Sequence, residues 1–78
     1  MADFSKDLVN GVPQTVDDAV WFQNNGNHTV HWTKGAAKKK AGRRTTAPKE
    51  KEIGLGGMQI TFWCSDNSVS NEITGETA

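Results

Sequence analysis

A single cysteine, Cys64, leaves no partner for an internal disulfide. No apolar run approaches the roughly twenty residues that a membrane-spanning helix needs, and no stretch resembles a secretory signal. The expectation is a soluble protein made in a cytoplasm, with no membrane partner. Apolar residues are scarce too, at 35% of 78 positions. That supports one small domain at most. Domains of this size commonly rely on disulfides, metals or oligomerisation to complete their cores. With the first route closed, a partner surface or a second copy of the chain is expected to supply part of the core.

Chemically reactive groups are few. Cys64, His28 and His31 are the only soft metal ligands. His28 and His31 are three apart, which on a strand sends them to opposite faces, and no C-x-x-C or H-x-x-x-H spacing occurs. No metal and no other cofactor is expected. Nucleophilic catalysis would need Cys64 beside a histidine and an orienting group, but Cys64 lies on the apolar side of an alternating run, where a free cysteine acts as a small hydrophobe. Gly54-Leu55-Gly56-Gly57 lacks the lysine and hydroxyl of a phosphate loop and precedes a strand pattern rather than a helix. Its glycines suit a tight turn or bulge. The chain therefore reads as non-enzymatic, with no small-molecule substrate and no catalytic residue.

Charge is plentiful but segregated. Eight of the nine Lys/Arg residues fall between Lys34 and Lys51, with only Glu50 and Glu52 as acidic neighbours. Asp3, Asp7, Asp17 and Asp18 precede this block, and Asp66, Glu72 and Glu76 follow it. Such a chain can pair head to tail with itself or set its basic segment on something anionic.

The segments rich in strand formers define the fold class. Ala19–Gln23 and Thr29–Thr33 flank Asn24-Asn25-Gly26-Asn27, and strand runs around Asn-Gly predict a β-hairpin. Alternation puts Val20 and Phe22 on one face and Val30 and Trp32 on one face, with Trp21 on the polar side of its strand. Met58–Cys64 alternates as a half-buried strand, with Met58, Ile60, Phe62 and Cys64 on one face and Gln59, Thr61 and Trp63 on the other. Asp66-Asn67-Ser68 is a turn, and Val69–Ile73 a short final strand. The predicted core is Val20, Phe22, Val30, Trp32, Ile60, Phe62 and Cys64, with Leu55 and Met58 near one end.

The fold class is mainly β: a small antiparallel β-sandwich or barrel of about four to six strands, with a long basic loop and an extended N-terminal arm. Residues 1–15 form the arm, punctuated by Gly11-Val12-Pro13. Its Phe4, Leu8 and Val9 are spaced so that a short helix could offer them to a neighbour. Residues 16–74 form the β domain, and residues 75–78 a flexible C-terminus. The basic loop, residues 34–52, has no large apolar residue and cannot bury enough to order itself.

From residue 20 to residue 64 the order is a strand ending in Asn24-Asn25-Gly26, then Thr29-Val30-His31-Trp32 and a polar insertion. A Leu55-Gly56-Gly57 re-entry and the strand Gln59-Ile60-Thr61-Phe62-Trp63 follow. This arrangement resembles the small β-rich accessory proteins of tailed-bacteriophage particles: decoration (cement), collar, fibre or tail-associated components. The resemblance covers about half the chain as a pattern of strands and turns. It implies a structural protein of the virion, present in many copies, bound to a capsid or tail lattice and to copies of itself. The insertion Lys34–Lys51 is longer and more basic than that pattern needs.

Two functions compete. In the first, the chain is a structural interaction protein of a virus particle. Trp21, Trp63, Phe4 and Leu8 are its interface anchors, and Lys38, Lys39, Lys40, Arg43 and Arg44 reach an acidic patch on an adjacent subunit. In the second, those five cations contact nucleic-acid phosphates without reading sequence.

Overall fold

The computed structural model describes residues 2–64 and 70–78. These form seven strands, β1 (Ala2–Val9), β2 (Gln14–Asn24), β3 (Val30–Lys34), β4 (Arg44–Thr46), β5 (Lys51–Glu52), β6 (Met58–Cys64) and β7 (Ser70–Thr77), and the described residues contain no helix. Every pairing is antiparallel, in the order β1-β7-β2-β6-β3-β4, with β5 also on β2. The mainly β antiparallel class is as expected. The sheet does not close into a barrel: β1 and β4 end it on either side.

Strand β2 is the spine. The chain from residue 51 to residue 62 runs antiparallel along it, first as β5 beside Phe22 and Gln23, last as β6 beside Gln14–Ala19. Between these, the Leu55 and Gly57 amides donate to the Val20 and Ala19 carbonyls at 3.0 Å each. Gly54, Gly56 and Gly57 all take positive φ there, a backbone shape that glycine adopts without a Cβ penalty. The glycine-rich re-entry is thus the irregular middle of one long ladder. It lies where β2 itself bends: Asp18 has φ of 58°, and the register of β2 breaks against both β6 and β7 around Ala19. Bulges of this kind bend a strand and let a sheet turn a corner.

The bend folds the sheet over its own apolar side. Phe4 on β1 comes within 6.3 Å of Phe62 on β6, ring centroid to ring centroid. Three strand steps in a flat sheet would hold them about 14 Å apart. Phe62 also meets Phe22 at 4.7 Å, and Phe22 meets Trp32 edge-on at 5.9 Å, the geometry that aromatic quadrupoles favour. Leu8, Val16, Ala19, Val30, Leu55, Ile60, Cys64 and Ile73 complete this core.

Phe22, Val30, Trp32, Leu55, Ile60, Phe62 and Cys64 therefore sit where alternation put them. Val20 and Met58 do not: Val20 is half-buried and Met58 is 45% exposed. The bulge in β2 is the reason, because it turns Ala19 and Phe22 inward instead of Val20 and Phe22.

The N-terminal stretch needs correction. Its first part is neither arm nor helix. Ala2–Val9 is an edge strand paired along its whole length with β7, from Ala2 opposite Thr77 to Val9 opposite Ser70. Residues 75–77, expected to be a flexible end, belong to β7 and pair with both β1 and β2. A turn follows β1 at Asn10 and Gly11, both at positive φ (55° and 71°), closed by the Val12 amide on the Val9 carbonyl at 3.0 Å.

The predicted hairpin around Asn25-Gly26 does not form, since β2 and β3 are not neighbours and both instead flank β6. Neither Asn25 nor Gly26 takes the positive φ that a two-residue hairpin turn requires. Side chains hold this connection. Asn24 Nδ2 donates to the carbonyls of His28 (2.8 Å) and Thr46 (3.1 Å), and Asn24 Oδ1 accepts from the Gly26 amide (3.0 Å). Asn71 Nδ2 donates to Asn24 Oδ1 at 2.6 Å. The predicted turn at Asp66-Asn67-Ser68 lies outside the described residues.

Candidate functional site

The segment expected to be one structureless basic loop contains two short strands. Strand β4 pairs with β3, with Trp32 opposite Arg44, so residues 35–43 are the tip of a β3–β4 hairpin. Order comes from polar anchoring rather than apolar burial. The Gly35 amide donates to the Gln59 carbonyl at 2.8 Å, and Thr61 Oγ1 donates to the Gly35 carbonyl at 2.7 Å. Thr33 Oγ1 reaches the Ala37 carbonyl at 3.1 Å. Gly35 (φ 108°) and Gly42 (φ 72°) let the backbone reverse. The root of the tip is therefore pinned across the outer face of β6, and its far end projects.

Lys38, Lys39, Lys40 and Arg43 are exposed on this tip, and Arg44 is exposed where it joins β4. Two of them return to tryptophans: Lys38 Nζ lies 5.5 Å from the Trp63 ring, and the Arg44 guanidinium 5.7 Å from the Trp32 ring. Such cation–π contacts are each worth about 0.5–1 kcal/mol at exposed sites. Two open clefts result. One, of about 280 Å³, is walled by Lys38, Lys39, Lys40 and Arg43 over Trp63. The other, of about 400 Å³, lies between Trp32, Lys34, Lys39 and Arg44.

Neither tryptophan offers a free face. Each is only 4% exposed. Trp32 Nε1 donates to Thr46 Oγ1 at 3.0 Å, and that hydroxyl donates on to Glu52 at 3.2 Å. Trp63 is stacked by His31, its cross-strand partner, at 5.8 Å and 16°. The expectation that Trp63 is an exposed interface anchor is thus corrected. The tip and His31 cover the outer face of β6, so both faces of that strand are buried. Leu8 is likewise fully buried, and Phe4 packs half-buried against the core. Both pack β1 onto the core. Trp21 stays partly open, with Lys51 Nζ 4.1 Å above its ring.

His31 belongs to the site and was not singled out by the sequence as functional. Burial first, then the charges of Arg43 and Lys38, hold its imidazole below the ordinary value of 6.5. The ring is therefore neutral at pH 7. Its Nδ1 is buried and without a hydrogen-bond partner. Only the register of β3 against β6 could have revealed this, because it seats His31 on Trp63 beneath the tip.

Chemically the arrangement is a cationic surface on a braced support. It can hold anionic groups by charge and hydrogen bonding. It has no open aromatic platform on which a base could stack, the feature that gives single-strand binders much of their affinity. The thiol of Cys64 is buried, 4.0 Å from the Thr29 carbonyl.

Comparison with known proteins finds no family model, no curated protein and no solved structure that matches this chain.

Proposed function

We propose that this protein is a non-enzymatic structural module that joins a larger assembly by docking its cationic hairpin tip on a carboxylate-rich surface of an adjacent subunit. The observation that carries this reading is the tip itself. Five exposed cations stand on a segment that hydrogen bonds and cation–π contacts hold in place, so little ordering entropy remains to oppose docking. The one thiol is spent in the core, which favours a binding role over a catalytic one. The resemblance of residues 20–64 to accessory proteins of tailed-bacteriophage particles supplies the setting: a virion, with a capsid or tail lattice as the assembly. In a repeating lattice, many weak contacts combine through avidity.

A second reading rests on the 280 Å³ cleft, whose four cations could seat a phosphate. In it the chain is a sequence-nonspecific nucleic-acid-binding module. Covered tryptophans confine it to charge contacts, so about six phosphate contacts would lose roughly a thousandfold in affinity between 50 and 200 mM salt.

Replacing Lys38, Lys39, Lys40, Arg43 and Arg44 together by serine separates the readings. Under the first, the variant stays folded, loses assembly, and wild-type affinity for a generic DNA duplex is already weak. Tight duplex binding that the variant abolishes, with assembly unchanged, would overturn the first reading in favour of the second.

A further inference from the structure

The tip is matched in charge by a surface on the same chain that it cannot reach. Side chains alternate along β1, and Phe4 and Leu8 point to the core, so Asp3, Ser5 and Asp7 point outward. Register places Asp3 opposite Glu76 and Asp7 opposite Glu72, with Ser5 opposite Thr74 between them. Four carboxylates thus share one outer face of the β1–β7 pair, in two like-charge cross-strand pairs. Carboxylates directly opposite one another have Cβ atoms about 5 Å apart and destabilise a sheet. A cationic partner relieves that repulsion.

The cations of the tip lie at the other end of the sheet. Strand β1 folds over the inner face of β6, where Phe4 meets Phe62, whereas the tip lies against Trp63 on the outer face of β6, so the tip and the outward face of β1 are on opposite sides of the molecule. One chain therefore cannot bring its own tip to its own β1–β7 face. A second copy can. We propose that the tip's docking partner is the outer face of the β1–β7 pair of another copy, so that Lys38, Lys39, Lys40, Arg43 and Arg44 of one molecule meet Asp3, Asp7, Glu72 and Glu76 of the next. This rests on the docking role given to the tip above and names its partner.

Two features decide the mode of contact. The outer edge of β1 could in principle add a strand from a neighbour, but Lys6 lies on the same side of β1 as Phe4 and Leu8. An inward-pointing charge on an edge strand opposes strand addition. The contact is therefore tip on face, not edge on edge. It also joins two different surfaces, and such a head-to-tail contact generates rings or open filaments rather than a closed two-fold dimer.

The test uses two charge-reversed variants of the full chain. In one, Lys38, Lys39 and Arg43 become glutamate; in the other, Asp3, Asp7 and Glu76 become lysine. Circular dichroism confirms that each is folded, and light scattering at low salt reports mass. Wild type associates, and each variant alone is monomeric, its association at least ~100-fold weaker because like charges now face each other. Mixing the two restores association, since each variant's tip then meets a face of opposite charge. A mixture that stays monomeric, or a wild type that is monomeric at every concentration, overturns the proposal. Binding of poly-glutamate to the wild-type tip separates the two failures. If it binds while wild type does not self-associate, the partner is another protein and the docking role stands. If it does not bind, the docking role falls as well.

Discussion

The side-chain amides of Asn24 and Asn71 are joined by a buried hydrogen bond of 2.6 Å, although 47 residues separate them in the chain. Asn71 Oδ1 also accepts the His28 amide at 3.0 Å. Asn71 thus helps fasten the connection between β2 and β3 to β7, beside the Asn25 amide on the Glu72 carbonyl and Asn25 Nδ2 on Thr74 Oγ1. Asn71→Ala leaves the part-buried His28 amide without its acceptor and is expected to cost about 1–3 kcal/mol, read from urea denaturation. A cost under about 0.5 kcal/mol would show that the turn stands without it.

Gly75 has no room for a side chain. A Cβ there would collide with the Trp21 carbonyl and would meet the Phe4 ring at 2.6 Å. Because one obstacle is backbone, the site cannot relax by a rotamer change. Gly75→Ala is expected to destabilise the fold by about 3 kcal/mol, at the upper end of overpacking effects. Thermal unfolding measures it, and Phe4→Ala in the same background recovers part of the loss.

Trp63 and Trp21 are adjacent in character but opposite in role. Trp63→Ala removes a buried ring and is expected to cost at least about 3 kcal/mol, and it loosens the tip that leans on that ring. Trp21→Ala removes a half-buried side chain and costs no more than about 2 kcal/mol. Equal costs in chemical denaturation would contradict this assignment.

His31 makes stability depend on pH. Its folded value lies below 6.5, so between that value and 6.5 the unfolded chain binds a proton that the folded chain refuses. Its contribution is complete above the ordinary histidine value and is lost as pH falls below it. Wild type should therefore lose stability as pH falls below the ordinary histidine value more steeply than His31→Phe, which keeps the stacking and cannot titrate. Parallel denaturation midpoints for the two across that range would remove His31 as the cause.

The inner face of β6 was legible because Ile60, Phe62 and Cys64 alternate without interruption, and Phe22, Val30 and Trp32 followed from strand propensity. What the sequence hid was long-range. Strand β1 looked like an arm because Lys6 interrupts the apolar alternation of Phe4 and Leu8, and only pairing with β7 makes a strand of it. Asn25-Gly26 carried a hairpin signal, but Asn71, far along the chain, fixes that connection in another shape. The order of the basic tip lacked any apolar signal, since it comes from hydrogen bonds to β6 and from rings already covered. The five cations were legible as a group. Their partner surface was not, because Asp3 and Glu76 become neighbours only through the β1–β7 register.

The most direct test of the docking role is the mass of the wild-type chain in solution between 50 and 500 mM salt, with and without a generic DNA duplex. Screening shortens from roughly 14 Å to roughly 4 Å over that range, so a tip-to-carboxylate contact gives a mass above that of one chain at low salt that falls as salt rises, and added duplex changes little. A chain that is monomeric throughout and binds the duplex tightly at 50 mM salt would contradict the account and make the tip a phosphate-binding site.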